Sequence, residues 1–141
     1  MKHTIMIITD IEQIDRIAKE TFGTTKGIIS IDMNDYAHIK EQSLSLNAVT
    51  IEIPEITEDN IIELDGVLNE LCKGEDCNIL LYISGSGVDS GVRTLTVGQL
   101  QLFYESIERC VPQDANIIWG VGESKNAHNG IAILVIVGMR K

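Results

Sequence analysis

Two spacings of apolar residues alternate along the chain and predict an alternation of strands and helices. Runs of β-branched and aliphatic residues predict strands, and apolar residues three and four positions apart predict amphipathic helices. The predicted strands cover 4–8, 27–31, 47–53, 78–84, 116–121 and 130–137. The first two predicted helices run from Asp10 to Gly23 and from Met33 to about Gln42. The third begins at a cap at Thr57 and has an apolar stripe of Ile61, Leu64, Leu68 and Leu71. The fourth runs from about Val97 to Cys110, with a stripe of Val97, Leu100, Phe103, Tyr104 and Ile107.

The order of these elements predicts the fold class. Strands and helices alternate until the last two strands, which a short connection at 122–129 joins as a closing hairpin. The sequence therefore predicts an α/β (α+β) fold with a single mixed β-sheet flanked by helices. Residues 47–53 alternate apolar and polar side chains, which is typical of a strand with one wet face. The length of 141 residues is typical of one domain, so 1–141 is predicted to be a single domain.

The charge balance narrows the range of partners. The formal net charge is -10, from 11 basic and 21 acidic residues, and no cluster of Lys and Arg is present. We therefore expect no nucleic-acid partner and no binding to an anionic membrane surface. No apolar run is long enough to span a bilayer, and the first residues do not have the pattern of a signal peptide. The expected location is the cytoplasm.

The motifs that would indicate a disulfide framework, a metal site, a nucleotide site or a catalytic serine are weak or absent from the sequence. The three cysteines, Cys72, Cys77 and Cys110, are too few for a disulfide framework, and with scattered histidines they predict no metal site. The glycine-rich segment 85–91 follows a strand, but no GxxxxGK[ST] motif is present, and Ser90 stands where a dinucleotide-binding loop has glycine. No GxSxG elbow is present either. We expect no cofactor and no intrinsic catalytic centre.

Asp32 and Asp35 form the most informative pair of polar residues. They lie three positions apart, directly after a predicted buried strand. One interpretation is structural, with Asp32 as the N-cap of a helix and Asp35 in its first turn. The other is functional, because carboxylates at this spacing share one face and can order a water or act as a base. Local chemistry favours the cap.

The segment GIISIDMND resembles the synergy loop of the bacterial tubulin homologue FtsZ. Gly27, Asp32 and Asp35 match the family pattern, and Ser30 stands where the family has asparagine. Further segments resemble the family's C-terminal half in the same order: 10–22 the end of the central helix, 47–53 the following strand, 78–85 the strand written roughly GVLVNITG, 96–100 the helix start ETVGNTI, and 116–121 with 130–138 the closing hairpin that ends RVTVIATG.

The resemblance implies a role in the bacterial cytoskeleton or cell division. In FtsZ an N-terminal GTPase domain carries a GGGTGTG-type phosphate loop, which this sequence does not contain. The synergy-loop aspartates of that family reach the GTP of the next subunit and promote its hydrolysis. The resemblance therefore implies a non-enzymatic protein-interaction domain that presents Asp32 and Asp35 to the nucleotide of an FtsZ subunit and caps a filament end.

Two alternatives use the same scaffold differently. The first is a small-ligand-binding domain or an oligomeric enzyme, with its site near 85–91 or 123–129. The second is self-association into a homo-oligomer, with the strand at 47–53 as an edge that pairs between chains.

Overall fold

A computed structural model describes residues 4–22, 27–29, 31–53, 57–72, 76–85, 97–111, 115–123 and 131–140. The elements within these ranges occur in the predicted order. They are β1 (Thr4–Ile8), α1 (Ile11–Phe22), β2 (Gly27–Ile29), α2 (Met33–Glu41), β3 (Ser43–Ile53), α3 (Glu58–Cys72), β4 (Cys77–Gly85), α4 (Val97–Cys110), β5 (Asn116–Glu123) and β6 (Ile131–Arg140). The predicted helix end at Gly23 lies outside the described residues. The Thr57 cap is confirmed, because the Asn60 backbone N–H donates to Thr57 Oγ1 at 3.1 Å.

All six described strands form one mixed sheet, which confirms the predicted fold class. Their spatial order is β1-β3-β6-β4-β5-β2. β4 and β5 run parallel, whereas the other neighbouring strands are antiparallel. The predicted closing hairpin is wrong, because β4 lies between β5 and β6. β5 and β6 are therefore separated by a strand and do not pair with each other.

The central position of β4 explains why helices cover both faces of the sheet. All nine of its residues are buried, so neither face is exposed to water. One face packs against buried residues of α3 and α4: Ile61, Leu64, Leu68, Phe103 and Ile107. The other packs against buried residues of α1 and α2: Ile14, Ala18, Phe22, Tyr36 and Ile39. The result is a three-layer arrangement with an apolar core on each side of the sheet.

The prediction that residues 47–53 form a strand at the edge of the sheet needs correction. β3 begins earlier, at Ser43, and β1 pairs with it from Ala48 to Glu52, so β1 is the edge strand there. Alternation holds only in part. Glu52 is exposed and Thr50 is half-buried, but Ala48 is buried because α1 and α2 pack on this face near the start of the strand.

Helix α4 differs from its predicted stripe at one position. Tyr104 was expected in the apolar stripe, but its side chain is 44% exposed and its ring lies 6.3 Å from that of Trp119. Ser106 is fully buried instead. Its hydroxyl bonds to a carboxylate of α3, and this bond compensates its burial.

Gly138 and Gly66 should respond oppositely to alanine. A Cβ at Gly138 would lie 2.0 Å from Ser43 Oγ and 2.5 Å from Ser43 Cβ. Ser43 cannot move freely, since its hydroxyl donates to the Ile39 carbonyl at 2.6 Å. We expect Gly138→Ala to lower the free energy of unfolding by about 2–3 kcal/mol. Gly66 lies within α3 with open space around it, so Gly66→Ala should raise that free energy by about 0.5–1 kcal/mol.

Urea titration followed by circular dichroism measures both variants against the wild-type protein. A Gly138→Ala variant as stable as the wild type would contradict the close approach of β6 to Ser43. Equal losses in both variants would contradict the assignment of Gly66 to an unhindered helical position.

Candidate functional site

The predicted synergy-loop residues lie around β2 and the start of α2. Gly27 begins β2 and pairs with Gly122 of β5. Ser30 lies outside the described residues. Asp32 is the N-cap of α2, with extended backbone angles of φ -113° and ψ 176°, and Asp35 is the third residue of the helix. β2 is shorter than predicted, since the described strand ends at Ile29.

Asp32 and Asp35 cap α2 reciprocally. The Asp35 backbone N–H donates to Asp32 Oδ1 at 3.0 Å, and the Asp32 backbone N–H donates to Asp35 Oδ2 at 3.0 Å. This capping box satisfies two backbone donors that the first helical turn leaves unpaired. The predicted cap is therefore confirmed.

The capping box uses only one oxygen of each carboxylate. Asp32 is exposed and Asp35 is half-buried. Asp32 Oδ2 and Asp35 Oδ1 make no hydrogen bond to another described residue. Both carboxylates are thus fixed by the helix end through one oxygen each. The positive end of the helix dipole favours the two negative charges at this place.

A second polar cluster joins α1 to α2. Tyr36 donates its hydroxyl to Asp15 Oδ1 at 2.5 Å, and Lys40 Nζ lies 3.0 Å from both oxygens of Asp15. The Tyr36 hydrogen bond and then Lys40 lower the pKa of Asp15 against the opposing effect of burial. Burial, followed by the bond to Asp15, raises the pKa of Tyr36. Tyr36 therefore stays protonated as a donor, and the cluster acts as a link between two helices.

A third cluster joins α3 to α4. Ser106 donates its hydroxyl to Asp65 Oδ1, and Arg109 Nη2 lies 3.0 Å and 2.8 Å from the two oxygens of Asp65. Burial raises the pKa of Asp65, but bonds from Ser106, Arg109 and Cys110 outweigh it, so the pKa lies below its ordinary value. Burial and then Asp65 raise the pKa of the Cys110 thiol. This thiol is a poor nucleophile at neutral pH.

A buried amide network closes one end of the sheet. Asn78 is 2% exposed, and its Nδ2 donates to Ser43 Oγ at 3.1 Å and to the Gln42 carbonyl at 3.2 Å. Asn116 Nδ2 donates to Asn78 Oδ1 at 3.0 Å. Each polar atom of the Asn78 side chain thus has a partner, and the network fixes the start of β3, β4 and β5 relative to each other.

The alternative ligand segments begin at the opposite end of the sheet. Gly85 ends β4, pairs with Glu123 at the end of β5, and faces Ile131 at the start of β6. The rest of 85–91 and of 123–129 lies outside the described residues. Because β4 and β5 end side by side, the starts of the two segments lie at the same end of the sheet, although the segments are far apart in sequence.

Sequence reasoning missed the polar residues of both helix pairs. Asp15 and Tyr36 are 21 positions apart and Asp65 and Ser106 are 41 apart, so no local spacing signals either contact. A signal was present only for Ser106, which follows Phe103 by three positions and so falls on the apolar face of α4.

The described residues also bear on metal binding, membrane spanning and thiol chemistry. They contain no group of three or more His, Cys, Asp or Glu side chains arranged to hold a metal ion. None of the described helices has the length and apolar character needed to cross a membrane. Of the cysteines, Cys77 is buried and Cys110 half-buried, and both are thiols outside any disulfide.

Comparison of the chain with family models and with curated proteins finds no match.

The Asp65 cluster predicts a pH-dependent loss of stability. The folded-state pKa of Asp65 is lowered, so its stabilisation is fully present above the unfolded-state value of about 3.9 and is lost as the pH falls through the folded-state pKa. We expect Asp65→Asn to lower the free energy of unfolding by about 1–2 kcal/mol at pH 7, and by less as the pH falls below about 4.

Urea titrations between neutral and acidic pH measure this difference, with Glu41→Gln as the matched control. Glu41 is an exposed carboxylate in the last turn of α2, so its replacement should change stability by less than about 0.5 kcal/mol. A deficit in Asp65→Asn that stays constant through the acid range would contradict a role for the carboxylate charge.

Proposed function

We propose that the chain is a protein-interaction domain of the FtsZ type, without a catalytic centre of its own. It docks on the nucleotide face of an FtsZ subunit through the N-terminal end of α2. There it presents Asp32 and Asp35 to the bound GTP and modulates filament assembly. The observation that carries the proposal is the reciprocal capping box, which holds both carboxylates in place and leaves one oxygen of each without a partner among the described residues.

The rigidity of the capping box supports an interaction role. A docking group that is already held in its bound geometry loses less conformational entropy when the partner arrives. Both carboxylates are tied to backbone N–H groups at 3.0 Å, so neither has to be ordered on binding. A carboxylate oxygen within reach of a bound nucleotide can orient a water or accept its proton, and this is the chemistry that the resemblance to the synergy loop implies.

The chemistry of the other clusters also favours interaction over catalysis by this chain. Asp15 and Asp65 are each occupied by a hydroxyl donor and a cation from the neighbouring helix. Cys110 has a raised pKa and lies beside a carboxylate, which is the opposite of the environment that activates a thiol. The N-terminal end of α2 differs from these clusters, because the carboxylates of Asp32 and Asp35 are not neutralised by any described side chain.

The test separates the capping role of the two aspartates from their charge. Asparagine caps a helix about as well as aspartate does. We expect the double variant Asp32→Asn/Asp35→Asn to keep its stability within about 0.5 kcal/mol, because both amide oxygens can accept the capping bonds. It should nevertheless lose the effect of the wild-type protein on GTP turnover and polymer yield of full-length FtsZ. Phosphate release and sedimentation of the polymer measure these two quantities.

Two further double variants complete the design. Asp32→Ala/Asp35→Ala should lose both the effect on FtsZ and about 1–2 kcal/mol of stability. Glu58→Gln/Asp59→Asn removes the same charge from the first turn of α3 and should act on FtsZ as the wild type does. If the asparagine double variant acts like the wild type, the aspartates serve only as a cap. If the wild type does not change FtsZ turnover or co-sediment with polymer, the proposal is wrong.

A second candidate function rests on the opposite end of the sheet. β4 and β5 are parallel and end side by side at Gly85 and Glu123. Ligand sites in sheets of this kind commonly lie beyond the carboxyl ends of neighbouring parallel strands. Under this alternative, a metabolite at about 100 times its dissociation constant should raise the thermal midpoint by about 5 °C or more. Thermal unfolding across a metabolite panel tests it, and no shift with any compound would leave the candidate without support.

A further inference from the structure

The strand β1 forms one edge of the sheet, and its five residues include no charged residue, no proline and no bulge. Among the described strands only β3 pairs with it, so no described strand meets its outer backbone edge. Natural edge strands are commonly protected by charged residues, proline or a bulge. β1 has the sequence TIMII, without charge or proline, and its register against β3 is unbroken from Thr4 to Ile8.

Three consecutive apolar side chains of β1 are exposed. The exposed fractions are 45% for Ile5, 55% for Met6 and 70% for Ile7. Ile5 pairs with Ile51 and Ile7 with Val49, so both lie on the α3 and α4 face of the sheet. Met6 points to the opposite face, because successive side chains of a strand alternate. The edge is therefore apolar on both faces.

The sequence of β1 suits pairing with a second copy of itself. Ile5 and Ile7 lie symmetrically about Met6. An antiparallel pair with a two-fold axis at Met6 places Ile5 of one copy opposite Ile7 of the other, on the same face. Aliphatic pairs directly across two strands stabilise a sheet. A closed two-fold contact of this kind uses the same patch on both copies and leaves neither patch uncovered.

Charge favours this edge as the place where two copies meet. Each copy carries a net charge of -10, so most approaches bring acidic groups together. β1 carries no charge. The only acidic residue of β3 that pairs with β1 is Glu52, which lies opposite Thr4 on the side away from the free edge. Two copies can therefore pair along β1 without opposing carboxylates at the contact.

We infer that β1 is a homodimerisation edge, through which two copies pair antiparallel about Met6 and extend the sheet across both chains. This surface differs from the α2 end and is independent of binding to FtsZ. The strand spans only about 17 Å, so the contact is smaller than the roughly 800 Å² per partner of a stable interface. The dimer is therefore weak, with a dissociation constant in the micromolar range or above. Added salt strengthens it, because salt screens the repulsion between the two acidic bodies.

Analytical ultracentrifugation over a concentration series tests the dimer. The wild-type protein should self-associate, and more strongly at higher salt. Met6→Lys places a charge at the centre of the pair and should weaken association at least about tenfold. Tyr104→Lys is the matched control, with a similar exposed fraction of 44% on α4 beside β5, and should associate like the wild type. Its lysine can pair with Glu108 one turn later, which preserves the helix.

Cross-linking tests the register without depending on the lysine variant. In Met6→Cys the two introduced thiols lie directly opposite each other, within about 4.5–5.5 Å between Cβ atoms, where a small adjustment permits a disulfide. Mild oxidation should give a disulfide-linked dimer. Leu44→Cys has a more exposed position, 73%, but lies on β3 and should cross-link far less. The wild-type protein controls for the native cysteines.

Four results would overturn the inference. The first is a wild-type protein that stays monomeric at every concentration and salt level, and the second is unchanged association in a folded Met6→Lys variant. The third is cross-linking of Met6→Cys that is no greater than that of Leu44→Cys. The fourth is capture of a different extended peptide by β1 in a chain that does not self-associate. Circular dichroism establishes that Met6→Lys is folded, and if it is not, the cross-linking result decides.

Discussion

The burial of β4 on both faces is the constraint on which the rest of the structure depends. A strand with nine buried residues needs a strand on each side and a helical layer above and below. β6 and β5 supply the neighbours, while the two helix pairs supply the layers. Because β5 and β6 both pair with β4, they cannot form a hairpin with each other. The topology at the C-terminal end of the chain thus follows from the apolar character of one central strand.

The two helices of each layer are joined by the same arrangement of polar side chains. In each layer a carboxylate on the earlier helix accepts bonds from a hydroxyl and from a cation one turn apart on the later helix. Asp15 meets Tyr36 and Lys40 between α1 and α2. Asp65 meets its hydroxyl and cation partners between α3 and α4. Directional bonds of this kind fix how two apolar helix faces align, which hydrophobic burial alone does not specify.

Local patterns predicted the elements, whereas long-range pairing decided their neighbours. The periodic stripe of α3 and the run of β4 indicate their structures without help from the rest of the chain. The edge assignment of 47–53 was wrong because β1, which lies about 40 residues earlier in the sequence, pairs along this strand. The cap at Asp32 was predictable because its two partners are three residues apart. The polar clusters around Asp15 and Asp65 were not predictable, because their partners lie 21 or more residues away in the sequence.

The capping box explains the position of Asp32 and Asp35 but not the charge of both. A serine or asparagine satisfies the same backbone donors, and the helix dipole favours a negative charge at this end by only about 0.3–1 kcal/mol. A second carboxylate three residues away repels the first, in a chain that already carries a net charge of -10. The capping bonds and the helix dipole act against this repulsion, and the first turn of α3 likewise carries two carboxylates, Glu58 and Asp59. Under the proposed docking on FtsZ, the oxygens left over by the cap are the ones that would reach the nucleotide of the partner.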